Sequence, residues 1–239
     1  MSLTRNKVVH CPQCRQTSEF TIWDSINVFL DPEMRDELMK GNVFRWVCPH
    51  CGKLLSAHFD TLYHDPPNKF MVYLFYREVD EDKKYDLSHI TIPDKGLEYG
   101  YSFRVVYDPN RLLEKIRIFE QGLNDIAIEK MKYIMTHYVD TTLIRDEEKL
   151  FFEKIIKPED NTNYGRMVFH RLSINKERNN SFSVSMKKYE EQCQAIKMDK
   201  RFEANSWLCV DEGWIARQLK ELSLFDVKRE STASDMLND

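Results

Sequence analysis

The sequence predicts an α+β protein, and three observations carry that prediction. Two Cys-Pro-x-Cys pairs, Cys11-Pro12-Gln13-Cys14 and Cys48-Pro49-His50-Cys51, stand apart by residues 15–47, 33 in all. Short aromatic and β-branched runs such as Phe70-Met71-Val72-Tyr73-Leu74-Phe75-Tyr76 follow them and read as strands. Asp31-Pro32 and Asp108-Pro109 each place a capping side chain and a proline where a helix starts.

The first strand pair is expected over residues 7–23, with the first cysteine pair between the strands and Phe20-Thr21-Ile22-Trp23 as the second of them. A thiolate pair two residues apart forms a knuckle, with both sulfurs in one concavity. Two knuckles supply the four ligands, at about 2.3 Å, that tetrahedral Zn²⁺ prefers. Proline sets φ for the turn. Gly52 after the second pair suits a positive φ, whereas Arg15 holds the matching place after the first. The metal-ligand candidates are therefore Cys11, Cys14, Cys48 and Cys51, with zinc as the expected ion and rubredoxin-like iron as the alternative. A redox reading needs one pair opening a helix after a strand, and neither pair has that context. His10, His50, His58 and His64 lie near in sequence, but four thiolates already complete the shell. The expected fold of this region is zinc-ribbon-like, with a helix inserted between the knuckles. That helix runs from Asp31-Pro32 through Lys40 and stops at Gly41. Strands at 43–48 and 53–64 flank the second knuckle.

The two pairs, the Phe44-Arg45-Trp46-Val47 strand entering the second, and Tyr63-His64-Asp65 after it resemble the CpXC domain. This is a bacterial and archaeal family named for these motifs. The segment from Leu112 to Asp125 also looks like the helical segment of longer members. The resemblance covers about the first 135 residues. It implies the four cysteines as ligands and implies no substrate.

Pro66-Pro67 breaks the run, and Phe70 to Tyr76 is then a buried strand. A charged turn is expected at 80–84, irregular chain over 87–100, and a strand from Ser102 to Tyr107. Asp108-Pro109 opens a helix whose Leu112, Leu113, Ile116 and Phe119 share one face. Gly122 ends it, and Asn124 or Asp125 caps a second helix, so a helical hairpin completes an N-terminal domain over 1–138. A boundary near 139–148 leads to a smaller α/β region over 139–227. There, strands at 166–174 and 181–186 pair through a loop at 175–180. A helix over 188–198, a short strand over 206–210 and a last helix capped by Asp211 follow. The tail 228–239 is polar and expected to be disordered.

The composition narrows the function. The chain has 42% hydrophobic residues, enough for a core, and a net charge of −4. Residues 1–60 hold Arg5, Lys7, Arg15, Arg35, Lys40, Arg45 and Lys53 against Glu19, Asp24, Asp31, Glu33, Asp36, Glu37 and Asp60. That balance lacks the clustered cations that phosphate contacts need, which argues against a nucleic-acid-binding ribbon or helix-turn-helix. No stretch reads as a signal peptide, and the longest apolar run is too short for a bilayer, so a cytoplasmic location is expected. Cys193 and Cys209 are expected to be free, buried thiols. His64-Asp65 is the one acid–base candidate for an enzyme, but neighbours on an extended chain point to opposite faces. There is no phosphate-binding glycine loop, HExxH helix or nucleophile elbow. The expected role is a non-enzymatic module that binds another protein, with any surplus of the aromatic side chains Phe70, Tyr73, Phe75, Tyr76, Tyr99, Tyr101, Phe103 and Tyr107 on one sheet face as the candidate surface.

Overall fold

The computed structural model describes residues 2–76, 96–139, 148–157, 165–173 and 180–219. The charged turn at 80–84, most of the stretches 87–100 and 139–148, the loop 175–179, Leu222 and the tail 228–239 lie outside them. The chain divides into two compact units, Met1–Gly122 with Ala204–Leu208 and Leu123–Glu203 with Cys209–Asp239.

In the first unit, β1 (Leu3–His10) and β2 (Thr17–Asn27) form a long antiparallel hairpin with the first knuckle at its tip. The helix α1 (Glu33–Met39) and a 3₁₀ turn at Asn42–Phe44 follow. A second, two-stranded hairpin, β3 (Arg45–Val47) and β4 (Leu54–Ser56), carries the second knuckle. The strands β5 (Thr61–Asp65), β6 (Phe70–Leu74) and β7 (Ser102–Val106) extend the first hairpin into a sheet of order β1-β2-β5-β6-β7. Its β2–β5 and β6–β7 pairs are parallel and its β5–β6 pair antiparallel. The helix α2 (Pro109–Glu120) closes the unit.

Alternating burial along β5 and β6 follows from the two-residue period of a strand. One face sends Tyr63, Phe70, Val72 and Leu74 into a core with Ile22, Ile26, Leu38, Leu112 and Ile116. Each such side chain contributes about 1.5–3 kcal/mol on burial. The other face packs Phe75, Phe103 and Val105 around Trp207, with Tyr73, Tyr101 and Tyr107 partly buried beside them. Most of the expected aromatic surplus is thus packed, while Tyr99 stays exposed.

Two expectations at the helix starts come out differently. Asp108 caps α2, its Oδ1 accepting from Asn110 N at 2.8 Å, with Pro109 at the first helical position. Asp31 does not cap α1: Pro32 takes the N-cap place and no side chain bonds there, while Met34 N reaches the Asp31 carbonyl. The α1 helix stops as expected at Gly41, whose φ of 74° is left-handed. A forked ion pair then ties α1 to the end of α2, with Arg35 Nε and Nη2 each 2.7 Å from a Glu120 oxygen.

The strand expected over 53–64 is divided. β4 stays on β3 and β5 joins the large sheet, because between them Ala57 N bonds the Phe44 carbonyl and Phe59 turns inward against Phe44 and Phe20. The strand expected over 206–210 reduces to a single parallel bridge from Leu208 to Arg104 at the edge of β7.

The second unit begins with α3 (Asp125–Ile134), capped by the Asn124 side chain and followed by a π turn at Met135–Val139. Both helices expected as a hairpin are therefore present, α2 in the first unit and α3 in the second. The strands β8 (Lys149–Ile156), β9 (Arg166–Leu172) and β10 (Asn180–Ser185) form an antiparallel sheet of order β10-β9-β8. The helix α4 (Met186–Lys197) starts directly at the end of β10 and packs on α3, where Asn124 N donates to Tyr189 Oη at 2.7 Å. Asp211 Oδ1 caps a last helix over 212–219 through Trp214 N, as expected. Cys193 and Cys209 keep their thiols but are half-buried rather than buried, and Cys209 Sγ donates to Asp211 Oδ2.

Candidate metal centre

Each knuckle sits at a hairpin tip, and the two tips are built alike. Cys11 N donates to the Gln16 carbonyl and Arg15 N to the Cys11 carbonyl, both at 2.9 Å. The second knuckle repeats this: Cys48 N donates to Lys53 O and Gly52 N to Cys48 O, again at 2.9 Å. Both loops need a left-handed residue after the second cysteine. Gly52 meets this with φ 71°, and Arg15 adopts φ 61° in the matching place.

The two tips bring all four sulfurs together, each within 4.8 Å of the others. The shortest separations, Cys11 Sγ to Cys51 Sγ and Cys14 Sγ to Cys48 Sγ, are 3.6 Å and run from one knuckle to the other. A tetrahedron with metal–sulfur bonds of about 2.3 Å has edges of about 3.8 Å, so this donor set fits a tetrahedral ion. Cys11 and Cys48 are buried with Trp46 in a small apolar cluster that Phe20 and Leu55 flank. This cluster of cysteines is able to bind a metal ion.

The electrostatics of the thiols point the same way. Backbone N–H groups of Cys14 and Gln13 and the neighbouring thiols draw the Cys11 pKa down to about 6 against the opposing effect of burial. The Lys53 N–H favours the Cys51 thiolate, but burial and the three neighbouring sulfurs outweigh it and push that thiol up to about 12. Cys14 moves the same way: the Gln16 N–H favours its thiolate, and burial with the Cys48 and Cys11 sulfurs prevails. The site favours one thiolate and resists more, which is the condition a divalent cation relieves.

Three of the nearby histidines are engaged elsewhere. His50 Nε2 lies 3.3 Å from the Thr17 carbonyl, and His58 stacks on Tyr76 with ring centres 4.1 Å apart. His64 lies between Asn27 Nδ2 at 3.4 Å and Tyr101 Oη at 3.3 Å, and burial lowers its pKa. Asp65, on the opposite face of β5, is 3% exposed and accepts from the backbone and side-chain nitrogens of Asn68, closing the turn into β6. The two do not face one another.

The left-handed residue gives a direct test of the knuckle geometry. A side chain at φ near 60° costs roughly 1 kcal/mol that glycine avoids. Arg15→Gly is expected to raise stability by up to about 1 kcal/mol, and Gly52→Ala to lower it by about as much. A Cβ at Gly52 meets nothing within 4 Å, so that loss is a backbone effect alone. Thermal melting of the two variants checks both signs.

No curated protein and no solved structure matches the chain. A family model described as CpXC protein matches residues 9–132, which is more than half of the 239 residues and includes both knuckles. With the doubled Cys-Pro-x-Cys motif at the tips of two like hairpins, the chain belongs to the CpXC family.

Proposed function

We propose that the protein is a zinc-binding, non-enzymatic interaction module, in which the metal holds a zinc-ribbon-like pair of hairpins and the surface they form binds another protein. The observation that carries this reading is the convergence of four sulfurs from two matching hairpin tips. Zinc suits four thiolates in a tetrahedron, and iron in the same set is the alternative. Cys11, Cys14, Cys48 and Cys51 fill the shell, so no open position remains for the activated water that catalytic zinc needs. His64 and Asp65 are taken up in strand packing and turn closure, which supports a module over an enzyme. The even charge balance favours a protein partner over nucleic acid. A reducing cytoplasmic setting keeps such thiols available for metal. No helix among the described residues is long and apolar enough to cross a membrane.

The test is the metal content and visible absorbance of untagged protein purified without chelator or added metal. One zinc per chain and no colour is the expected result. A red protein with iron would make it an electron carrier instead. A metal-free protein with four readily titrated thiols would refute the reading.

A further inference from the structure

The five-stranded sheet of the first unit has two edges, β1 and β7. The chain itself occupies the second: Val105 N donates to the Leu208 carbonyl at 3.1 Å. Among the described residues nothing pairs with the edge of β1. The bond from Cys11 N to Gln16 O sets the phase of the β1–β2 ladder, so Arg5, Lys7 and Val9 bond to β2. Asn6, Val8 and His10 then turn their N–H and C=O groups outward, and no backbone partner meets them among the described residues.

A groove of 280 Å³ takes in part of β1. Residues 7–10 and 55–59 line it together with Phe20, Ile22 and Trp46. Lys7 is the one formally charged side chain in the lining, and no carboxylate borders the groove. Lys7 has no ion-pair partner among the described residues.

We propose that this groove takes an extended, acidic segment of a partner protein, which adds to the open edge of β1 as a sixth strand. Its backbone would pair with Asn6, Val8 and His10, and its carboxylates meet Lys7, which lines the groove. The choice of an acidic partner strand over a second copy of the chain rests on charge. Asp24 balances Arg5, but β1 itself has no acidic residue and Lys7 has no ion-pair partner among the described residues, so pairing two copies edge to edge brings the two Lys7 charges together with nothing to offset them. The inference rests on reading the chain as an interaction module and adds where and what it binds.

The experiment titrates the zinc-loaded full chain with a fluorescein-labelled octapeptide of alternating valine and glutamate, and with its valine–lysine counterpart. Fluorescence anisotropy reads binding, and amide exchange by NMR reads its place. The glutamate peptide is expected to bind and to protect the amides of Asn6, Val8 and His10. Lys7→Glu is expected to weaken it roughly tenfold. Val8→Pro, which removes an outward N–H and leaves the β1–β2 bonds intact, is expected to weaken it as well. Lys197→Glu, exposed on α4, is the control and should leave binding unchanged. The proposal is overturned if the glutamate peptide does not bind, if the lysine peptide binds equally, or if both β1 variants bind as the parent does. It is also overturned if the free chain self-associates with its β1 amides already protected. Metal content is measured on the same samples. A folded, zinc-loaded chain that ignores the peptide defeats only the groove. A chain without metal defeats the reading of the site, and the titration still decides the groove.

Discussion

Cys48→Ser is expected to abolish metal binding and unfold both hairpin tips while the core of the first unit stays folded. A structural zinc site contributes on the order of 10 kcal/mol to the fold it holds. At the tips little else is available to replace it. The buried cluster there is Cys11, Trp46 and Cys48, and β3 and β4 are three residues each. The sheet core has its own support, since Ile26, Leu38, Tyr63, Phe70, Val72, Leu74, Leu112 and Ile116 are fully buried together. Amide exchange should therefore lose protection around both knuckles and keep it along β5, β6 and α2. The indole signal of Trp46, now 5% exposed, should shift to that of a solvated ring. Adding a chelator to the parent protein should reproduce the pattern. A soluble variant with unchanged melting and unchanged Trp46 would mean that the four sulfurs hold no metal.

Metal affinity is expected to fall at least a hundredfold for each pH unit lost near neutrality. Cys14 and Cys51 both lie above the ordinary thiol value of 9.0, so both carry protons at pH 7, and both must lose them to coordinate. Cys11, drawn down to about 6, is already a thiolate there. Each displaced proton makes the affinity change about tenfold per pH unit, and the metal competes with protons, so acid weakens binding. Competition against a zinc-sensitive dye at pH 6.5 and 7.5 measures the slope. A slope near zero would show that the thiols meet the metal already deprotonated.

The knuckles were legible because their signal is local. A cysteine pair, a proline and a glycine within five residues specify one turn, and Gly52 takes the left-handed φ that the turn requires. Arg15 is the informative departure: the bonds of its knuckle impose the same φ on a residue that disfavours it. The caps at Asp108 and Asn124 are equally local, each a side chain bonding nitrogens two and three residues ahead. Asp31-Pro32 has the same letters as Asp108-Pro109, yet the start of α1 uses the Asp31 carbonyl and leaves its side chain out, which the dipeptide does not encode. The strand β8 escaped notice because Leu150, Phe151 and Phe152 are buried in succession and the ladder slips between Phe152 and Lys154. A bulge of that kind erases the two-residue alternation by which strands are read.

By itself the sequence determined that the two cysteine pairs belong together, the helix between the knuckles, the cap of α2 and the family, and it narrowed the cap of α3 to Asn124 or Asp125. All of these depend on contacts within a few residues or on motif spacing. Only the tertiary structure decided which strands are neighbours, that β4 and β5 part into different sheets, and that Leu208 returns to cover the edge of β7. It alone left the edge of β1 without a backbone partner among the described residues. Strand order is set by which apolar faces find each other across long loops, and that long-range choice leaves no mark in any short stretch of residues.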